Sequence, residues 1–495
     1  MRHFARAVLV RPARGDAVFG ALLFVLALAP RLYVALAWAG EAVWDGHYYD
    51  FGARRIALGL GYSDDLSLGG HLVWHPWAHY PVGYSALLAL FYRAFGPGIA
   101  IAALANALVG AALAVVTWAL ARHAMSTARA RVAGLVVALH PGLIVYAALV
   151  MTEPLAALLT LVAFLVAVRD RPLRGLALGA LVLGVAALVR PQALLCAPFL
   201  VLVGGLNRRG AEAAEGRALA SAGSAPSAAL RFLQRTRGMG WIALACALAC
   251  ALALLPVLPW TARNCARMDG CALVSTNAGW NLAIGAFPRA TGRFETLRSS
   301  DGCREVTGQV QQDRCWLQYG LGQIEAHPLH WLALVPAKLG FTFDHESFAV
   351  EYLHEARPEE WPEPRRTFGR DVTTYAHRLL LAASALGCVA FPRLRGRAAA
   401  QGALLAVAAG LAALALAGDT PHFWPIALFV SVVPWLPLPG RPAMPPALLL
   451  PVSLLATTLV THAVFFGEDR YHVVVTPVLA LLAAAALRPR ESVPT

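Results

Sequence analysis

Ala17-Val-Phe-Gly-Ala-Leu-Leu-Phe-Val-Leu-Ala-Leu-Ala-Pro-Arg-Leu-Tyr-Val-Ala-Leu-Ala-Trp-Ala39 decides the fold: an unbroken apolar run in which Arg31 is the single charge. About 20 apolar residues in a helix cross the hydrocarbon core of a bilayer. Directly after it comes Glu41-Ala-Val-Trp-Asp-Gly-His-Tyr-Tyr-Asp50, which is polar and aromatic. Apolar blocks of the same kind recur along the 495 residues, of which 58% are hydrophobic and 14% charged, with a mean hydropathy of +0.59. A soluble protein carries about 25% charged residues. The chain is therefore expected to be an all-α polytopic membrane protein. Residues 1–16 are basic and show no small-residue cleavage pattern, so the first helix reads as retained and not as a removed signal peptide.

Hydropathy places about twelve spans, at 17–39, 98–121, 133–150, 153–168, 173–189, 191–206, 239–260, 375–391, 400–417, 421–437, 444–465 and 471–487. Loop charges set the parity. Arg2, Arg6, Arg11 and Arg14 put the N-terminus in the cytoplasm by the positive-inside rule. Segment 40–80 carries Glu41, Asp45, Asp50, Asp64 and Asp65 against Arg54 and Arg55, so it lies outside. Arg122, Arg129 and Arg131 lie inside again, which requires an odd number of crossings in between. Stretch 81–96 is accordingly read as a re-entrant or interfacial helix. Arg169, Arg171 and Arg174, then Arg208, Arg209, Arg217, Arg231, Arg235 and Arg237, then Arg393, Arg395 and Arg397, and finally Arg488 and Arg490 continue the inside series. Segment 261–374 has more acidic than basic residues and lies outside; its apolar piece 328–343 must not cross.

The resulting organisation is an N-terminal membrane module over 1–206, with its first outer loop at 40–97, and a cytoplasmic linker at 207–238. A single span at 239–260, a small outer subdomain at 261–374 and a C-terminal membrane bundle at 375–495 complete it. The linker is rich in Ala, Ser, Gly and Arg, the composition of a flexible connector. No internal repeat is visible, which weighs against inverted-repeat transporters. The net charge of +13 sits in short inside loops, so nucleic acid is excluded as a partner.

Of eight cysteines, Cys196, Cys246, Cys250 and Cys388 fall inside spans and read as packing residues. Cys265, Cys271, Cys303 and Cys315 fall in the outer segment, where an oxidising compartment favours disulfides. Four cysteines allow three connectivities. The near-neighbour scheme, Cys265–Cys271 with Cys303–Cys315, is the expected one; a zinc site is the alternative, although the spacings match no common zinc pattern.

Several polar residues gather at the outer ends of spans. Asp45 follows the first span within Trp44-Asp45-Gly46-His47-Tyr48-Tyr49, ahead of Gly59, Gly61 and Tyr62. His79-Tyr80-Pro81-Val82-Gly83-Tyr84 opens the re-entrant stretch. A loop acid is ordinarily just solvated; the aromatic company of Asp45, with Tyr48, His79 and Tyr84, suggests a substrate cavity. Glu153, in Met151-Thr152-Glu153-Pro154, sits between two spans, either facing a cavity or satisfying a helix dipole. Arg190, in Val189-Arg190-Pro191-Gln192, either snorkels to the interface or holds a phosphate as a planar bidentate cation. Arg470 and Tyr471 lie in Gly467-Glu468-Asp469-Arg470-Tyr471 before the last span. Lys338 is the one lysine among 41 basic residues; it reads as an interfacial side chain or as a compact phosphate partner. His71, His75 and His79 repeat every four residues and could line one helix face, but Pro76 interrupts it, so a surface or acceptor-groove role is preferred to a zinc site.

Taken in order, these short motifs resemble the GT-C glycosyltransferases, in particular the bacterial branch (family 39) akin to protein O-mannosyltransferases and lipid A aminoarabinose transferases. Pro259-Trp260-Thr261-Ala262-Arg263-Asn264 and Ser275-Thr276-Asn277-Ala278-Gly279-Trp280-Asn281 also resemble that branch, where such a stretch begins an outer subdomain. The resemblance touches points from residue 44 to 471. It implies that Asp45 is the catalytic base or metal-side acid, with Glu153 as second acid. Most members carry an acid after the Asp, whereas this chain has Gly46.

The implied reaction moves a hexosyl or pentosyl group from a polyprenyl-phosphate donor to a glycan, lipid or protein acceptor. It would take place at the outer, periplasmic face of the cytoplasmic (inner) membrane. Arg190, Lys338 and Arg470 would hold the donor phosphate, and Asp45 would take the acceptor proton with inversion, as in the family. No cofactor is firmly implied; Asp45 and Glu153 could share a divalent cation. A lipid-linked sugar flippase would place charges through the core of several spans, whereas here they gather at one face. An O-antigen ligase or polymerase would carry its strongest signal in a late loop, whereas here the first loop does.

Overall fold

The computed structural model describes residues 14–68, 70–169, 171–203, 228–390, 398–417, 421–436 and 443–487. The linker as far as 227, and Arg2, Arg6, Arg11, Arg208, Arg209, Arg217, Arg393, Arg395, Arg397, Arg488 and Arg490, lie outside the described residues.

The chain opens with α1 (Arg14–Ala37), α2 (Asp45–Ala57), an antiparallel hairpin of β1 (Ser63–Leu68) and β2 (His71–Pro76), and α3 (Val82–Phe95). A bundle follows: α4 (Ile99–Ala121), α5 (Thr127–Leu139), α6 (Pro141–Val145), α7 (Glu153–Arg169), α8 (Pro172–Ala187) and a 3-10 stretch, Pro191–Val201. Next come α9 (Ala228–Leu254), α10 (Leu258–Arg267), α11 (Ala278–Ile284), α12 (Gln309–Ala326), α13 (Pro328–Ala333), α14 (Val335–Phe343) and α15 (Phe348–Ala356). The chain closes with α16 (Glu363–Ala390), α17 (Ala398–Leu416), α18 (Trp424–Val432), α19 (Pro446–Val464), a 3-10 turn at Asp469–Val475, and α20 (Thr476–Ala485).

Among the described residues, α1, α4, α16, α17 and α19 are long and apolar enough to cross a membrane. The total is 5, or up to 7 if two bent helix pairs each count as one span. This is a multi-pass helical membrane protein. Val82–Phe95, Pro172–Ala187, Pro191–Val201 and Trp424–Trp435 are apolar but shorter, below the roughly 20 residues of a straight crossing. At the last three of these, helix length and the hydropathy count diverge. α16 begins at Glu363, so position 375, where hydropathy sets the start of the C-terminal bundle, lies within one continuous helix. Its first turns are polar, and a helix needs no break to emerge from lipid.

The expected span at 133–150 is broken. Thr127–Leu139 and Pro141–Ala148 meet at 53°. Pro141 has no N–H to continue the helix, and its ring excludes the preceding residue from helical geometry. The last carbonyls of α5 are thereby left without helical donors. Arg31 of α1, fully buried, supplies them: Nη1 donates to Ala138 O (2.7 Å) and to Ala27 O (2.8 Å), and Nη2 donates to Val137 O (2.9 Å). Gly110 of α4 makes room, since a Cβ there would come within 2.5 Å of Arg31 Nε.

The first loop departs from a purely helical reading. His71 and His75 lie on β2, facing Leu68 and Asp64 across the hairpin, so they do not share a helix face with His79. The sequence Leu-Val-Trp between them has strand propensity, and Gly70 supplies the positive φ (84°) of the turn. Arg55 of α2 clamps the hairpin, donating to Ser63 Oγ (2.8 Å) and to both oxygens of Asp65 (2.6 and 2.9 Å).

α10 and the segment after it dock on this loop. Arg263 Nη1 donates to Trp77 O (3.1 Å), the Thr276 N–H donates to Ala78 O (2.9 Å), and the Ala78 N–H donates to Gln309 Oε1 (3.0 Å). Cys265 is bonded to Cys271 and Cys303 to Cys315. A small second core of Phe287, Leu297, Cys303, Trp316 and Phe466 lies beside them.

Candidate functional site

The α1–α2 junction aims the first acid. Trp44, just before α2, has φ 49°, a backbone conformation that side chains with a Cβ rarely adopt. Its indole packs on Phe348 and Tyr352, with ring centroids 5.4 and 5.9 Å away, and this packing holds it there. Asp45 opens α2. Gly46 follows because nothing larger fits: a Cβ would come 2.3 Å from Tyr352 Oη and 3.0 Å from Val150 O. The acid that the family resemblance leads one to expect at this position is excluded by Tyr352.

Asp45 Oδ1 accepts from Tyr80 Oη (2.6 Å), and Oδ2 accepts from Arg470 Nη1 (2.5 Å). Burial pushes this carboxyl up, but Arg470, Tyr80 and His79 together hold it below the ordinary carboxylate value. Arg470 is also paired, through Nε, with Glu468. Burial raises the Glu468 carboxyl to about 7, with Arg470 opposing. One guanidinium therefore stands between two carboxylates. Its plane lies over the Phe348 and Tyr471 rings, at 5.0 and 5.1 Å.

Arg190 approaches Tyr471 as well, at 5.2 Å from the ring centroid. Its Nη2 lies 3.2 Å from Glu153 Oε1, and Glu153, the first residue of α7, is fully buried. Arg190 Nη1 is buried without an acceptor among the described residues. Tyr471 stacks on His462, centroids 4.0 Å apart and planes 11° apart.

These groups open into one cavity of about 560 Å³, within the ordinary range for a small-molecule site. Asp45, His79, Arg190, Arg470 and Tyr471 line it, as do Tyr49 and Tyr80. Its opposite wall comes from the docked segment, with Asn277, Trp280, Asn281 and Arg304. Glu153 stands behind Arg190 and does not line the cavity.

Three expected site residues lie elsewhere. Tyr84 is buried, donating to Asn106 Oδ1 (2.9 Å), and braces α3 on α4. Tyr48 is outside the cavity lining and stacks on Trp77 (5.8 Å, 14°). Lys338 is buried away from the cavity; its Nζ donates to Val464 O (3.2 Å) and Ala463 O (3.5 Å), beside Trp331. A helix C-terminus leaves its last carbonyls free and carries partial negative charge, so this lysine caps α19 and does not line the cavity. Burial lowers its ammonium to about 8.

Two acids beside Arg470 have roles that sequence reasoning did not assign. Glu468 is the second partner of Arg470. Asp469 Oδ2 accepts the backbone N–H of Ser347, Ser347 Oγ (2.9 Å) and the Phe348 N–H (2.8 Å), capping the start of α15. The signal was present in Gly467-Glu468-Asp469-Arg470-Tyr471, but three adjacent charges do not reveal which of them faces which neighbour.

For a metal, the described residues bring together one group of three ligand atoms, from Glu346, His377 and His472. Asp45 and Glu153 are each engaged by an arginine instead. The histidines at 71, 75 and 79 form no such group among the described residues.

A scan against protein-family models finds no match, and a search of curated proteins finds none. Among solved structures, the chain is similar to the oligosaccharyltransferase AglB of Archaeoglobus fulgidus, described in complex with an inhibitory peptide and a dolichol-phosphate. The identity is 13% and the TM-score 0.41, over 96% of this chain and 50% of that one. It is also similar to ArnT from Cupriavidus metallidurans, described bound to undecaprenyl phosphate, with 17% identity and a TM-score of 0.35 over 94% of this chain and 77% of that one. The chain thus spans about half the length of the archaeal oligosaccharyltransferase. The chemistry must be read from the cavity's own residues.

Proposed function

We propose that this protein is a membrane glycosyltransferase that moves a sugar from a polyprenyl-phosphate donor to an acceptor hydroxyl, at the outer face of the cytoplasmic membrane. The observation that carries the reading is the joint placement of a half-buried Asp45 carboxylate and the Arg470 and Arg190 guanidiniums in one cavity. A glycosyl phosphate needs this pairing. The phosphate departs with added negative charge, which two arginines stabilise, and a carboxylate accepts the proton of the incoming hydroxyl.

In this reading Arg190 receives the donor phosphate through its unpaired Nη1, and Arg470 turns from Asp45 toward the phosphate as negative charge builds there. The acceptor oxygen bonds to the anomeric carbon as the carbon–phosphate oxygen bond breaks, and the acceptor proton passes to Asp45. Loss of the Arg470 contact makes Asp45 a stronger base at the moment its proton arrives. Glu153 holds Arg190 in place. The donor class comes from the sequence resemblance, as does inversion at the anomeric carbon. The outer face and the twelve-span arrangement rest on the loop charges.

The test uses purified wild type and Asp45→Asn, presented with a panel of polyprenyl-phosphate sugars and membrane extract as acceptor. Release of polyprenyl phosphate by wild type, lost in a variant that still binds donor, is the expected result. Absence of release from every donor, with labelled lipid-linked sugar crossing liposomes instead, would sink the transferase reading.

A further inference from the structure

Away from the cavity, Glu346, His377 and His472 meet in the interior. Each is almost wholly shielded, with 2% of Glu346 and 0% of the two histidines exposed. Glu346 lies between α14 and α15, His377 is on α16, and His472 is on the 3-10 turn that also carries Arg470. One ligand atom from each falls within 4.8 Å of the others. His472 Nε2 is 2.9 Å from Glu346 Oε2, and His377 Nδ1 is 4.0 Å from the same oxygen.

The end of α14 fixes how the two rings are protonated. Thr342 O and Phe343 O are among the last carbonyls of that helix, which have no helical donor. His472 Nδ1 lies 2.7 Å from Thr342 O, and His377 Nε2 lies 2.9 Å from Phe343 O. A carbonyl only accepts, so each of those nitrogens carries a proton. In the neutral ring the other nitrogen is a lone pair, and the two such nitrogens lie 2.9 and 4.0 Å from one carboxylate oxygen.

Three acceptors facing one another repel. A proton between His472 Nε2 and Glu346 Oε2 satisfies that contact alone. It leaves His377 Nδ1 and Glu346 Oε1, both buried, without a donor. Buried polar atoms are rarely left so. His140 does not fill the gap as a ligand: its Nδ1 accepts from the Leu143 N–H (3.4 Å), so its Nε2 bears the proton. A cation relieves all of these atoms at once. The second nitrogen of each histidine is anchored on a backbone carbonyl, the arrangement that orients metal-ligating imidazoles.

We propose that Glu346, His377 and His472 form a binding site for a divalent transition-metal ion of the zinc type, distinct from the cavity. Two neutral imidazoles and one carboxylate are a common donor set for zinc. Zinc takes such donors at about 2.0–2.2 Å; with the two nitrogens 2.9 and 4.0 Å from the carboxylate oxygen, His377 would move inward on loading. It would tie the α14–α15 junction, α16 and the Arg470 turn together; its burial outside the cavity, and not its three-ligand donor set, makes the site structural.

The full-length protein in detergent is loaded with zinc chloride, desalted and analysed for bound metal. Wild type and Asp45→Asn are each expected to retain about one equivalent, with affinity falling at least ~10-fold in Glu346→Gln and His377→Gln. Zinc lost in Asp45→Asn but kept in Glu346→Gln would overturn the site and put the ion in the cavity. Should the two variants not fold, wild type decides alone. Cobalt-loaded wild type is expected to show the intense visible bands of a low-coordinate nitrogen and oxygen site. Substoichiometric metal, or the weak spectrum of a six-coordinate ion, would refute the proposal.

Discussion

At the residue scale, Asp45, Gly46 and Glu468 each give a separable test. Removing a general base costs about 10²–10⁴-fold in rate, so Asp45→Asn is expected to lower kcat within that range while donor binding survives, as single-turnover and donor-binding assays would read. Gly46→Ala drives a methyl into Tyr352 Oη. Overpacking of this kind costs about 1–3 kcal/mol, and Gly46→Ala combined with Tyr352→Phe is expected to recover part of the lost thermal stability. Glu468 titrates at about 7, above its ordinary value, because it is buried. The folded protein therefore binds a proton that the unfolded chain has already released. The stability contributed by that proton is complete below the ordinary carboxyl value of about 4.5 and disappears as pH rises through 7. Tm of the wild type is expected to fall over that window, and that of Glu468→Gln to fall less. The donor KM is expected to rise above about pH 7, where the ionised Glu468 competes with phosphate for Arg470. A pH-independent KM in wild type would refute that competition.

At the element scale, the difference between Lys338 and Arg190 is testable. Lys338→Met removes the donor to Val464 O and Ala463 O. It is expected to cost about 1–2 kcal/mol of stability and to leave donor KM unchanged, whereas Arg190→Gln should raise donor KM about tenfold, or about 1.4 kcal/mol. This pair also shows what the sequence could and could not carry. Both are cations in or beside a predicted apolar helix, and one-dimensional pattern does not say whether a cation faces a ligand or the carbonyls of a distant helix. Asp45, His79, Arg190, Arg470 and Tyr471 were legible because polar groups at the ends of apolar runs have few structural reasons to be there. The β1–β2 hairpin was not, because three histidines at a spacing of four fit either a helix face or alternate strand positions. The kink at Pro141 was missed because the apolar run continues through it.

For the molecule as a whole, the hydropathy pattern conveys a helical membrane protein, whereas helix length in the structure sorts the segments differently. Several apolar stretches are short, bent or 3-10, and composition alone does not report the break. The cavity needs both halves of the chain: Asp45 and Arg190 come from the first, Trp280, Arg470 and Tyr471 from the second. Stabilising the docked segment should therefore matter for activity. Removing the Cys303–Cys315 bond by Cys→Ser at both positions is expected to cost about 2–5 kcal/mol and to reduce turnover at temperatures where the membrane helices remain folded. Parallel activity and circular dichroism melts would show whether the two losses separate. Loss of both at a single temperature would mean that the segment has no independent melting.

Arg31 has a consequence for how the chain is made. The carbonyl of Ala138 that it caps lies 107 residues further along. At about 5–20 residues per second, a ribosome needs roughly 5–20 s to supply that partner. During that interval α1 carries a permanent charge with only Ala27 O to receive it, and an arginine at the centre of a membrane helix costs about 2.5–3.5 kcal/mol to insert. The nascent first helix should therefore be a hesitant guest of the bilayer, able to slip or to be held by the insertion machinery until the kinked α5–α6 pair emerges. Arg31→Leu should insert earlier and more completely, yet yield a less stable finished protein. Quickened biogenesis and a weakened product from one substitution would indicate that insertion and folding are coupled through this side chain.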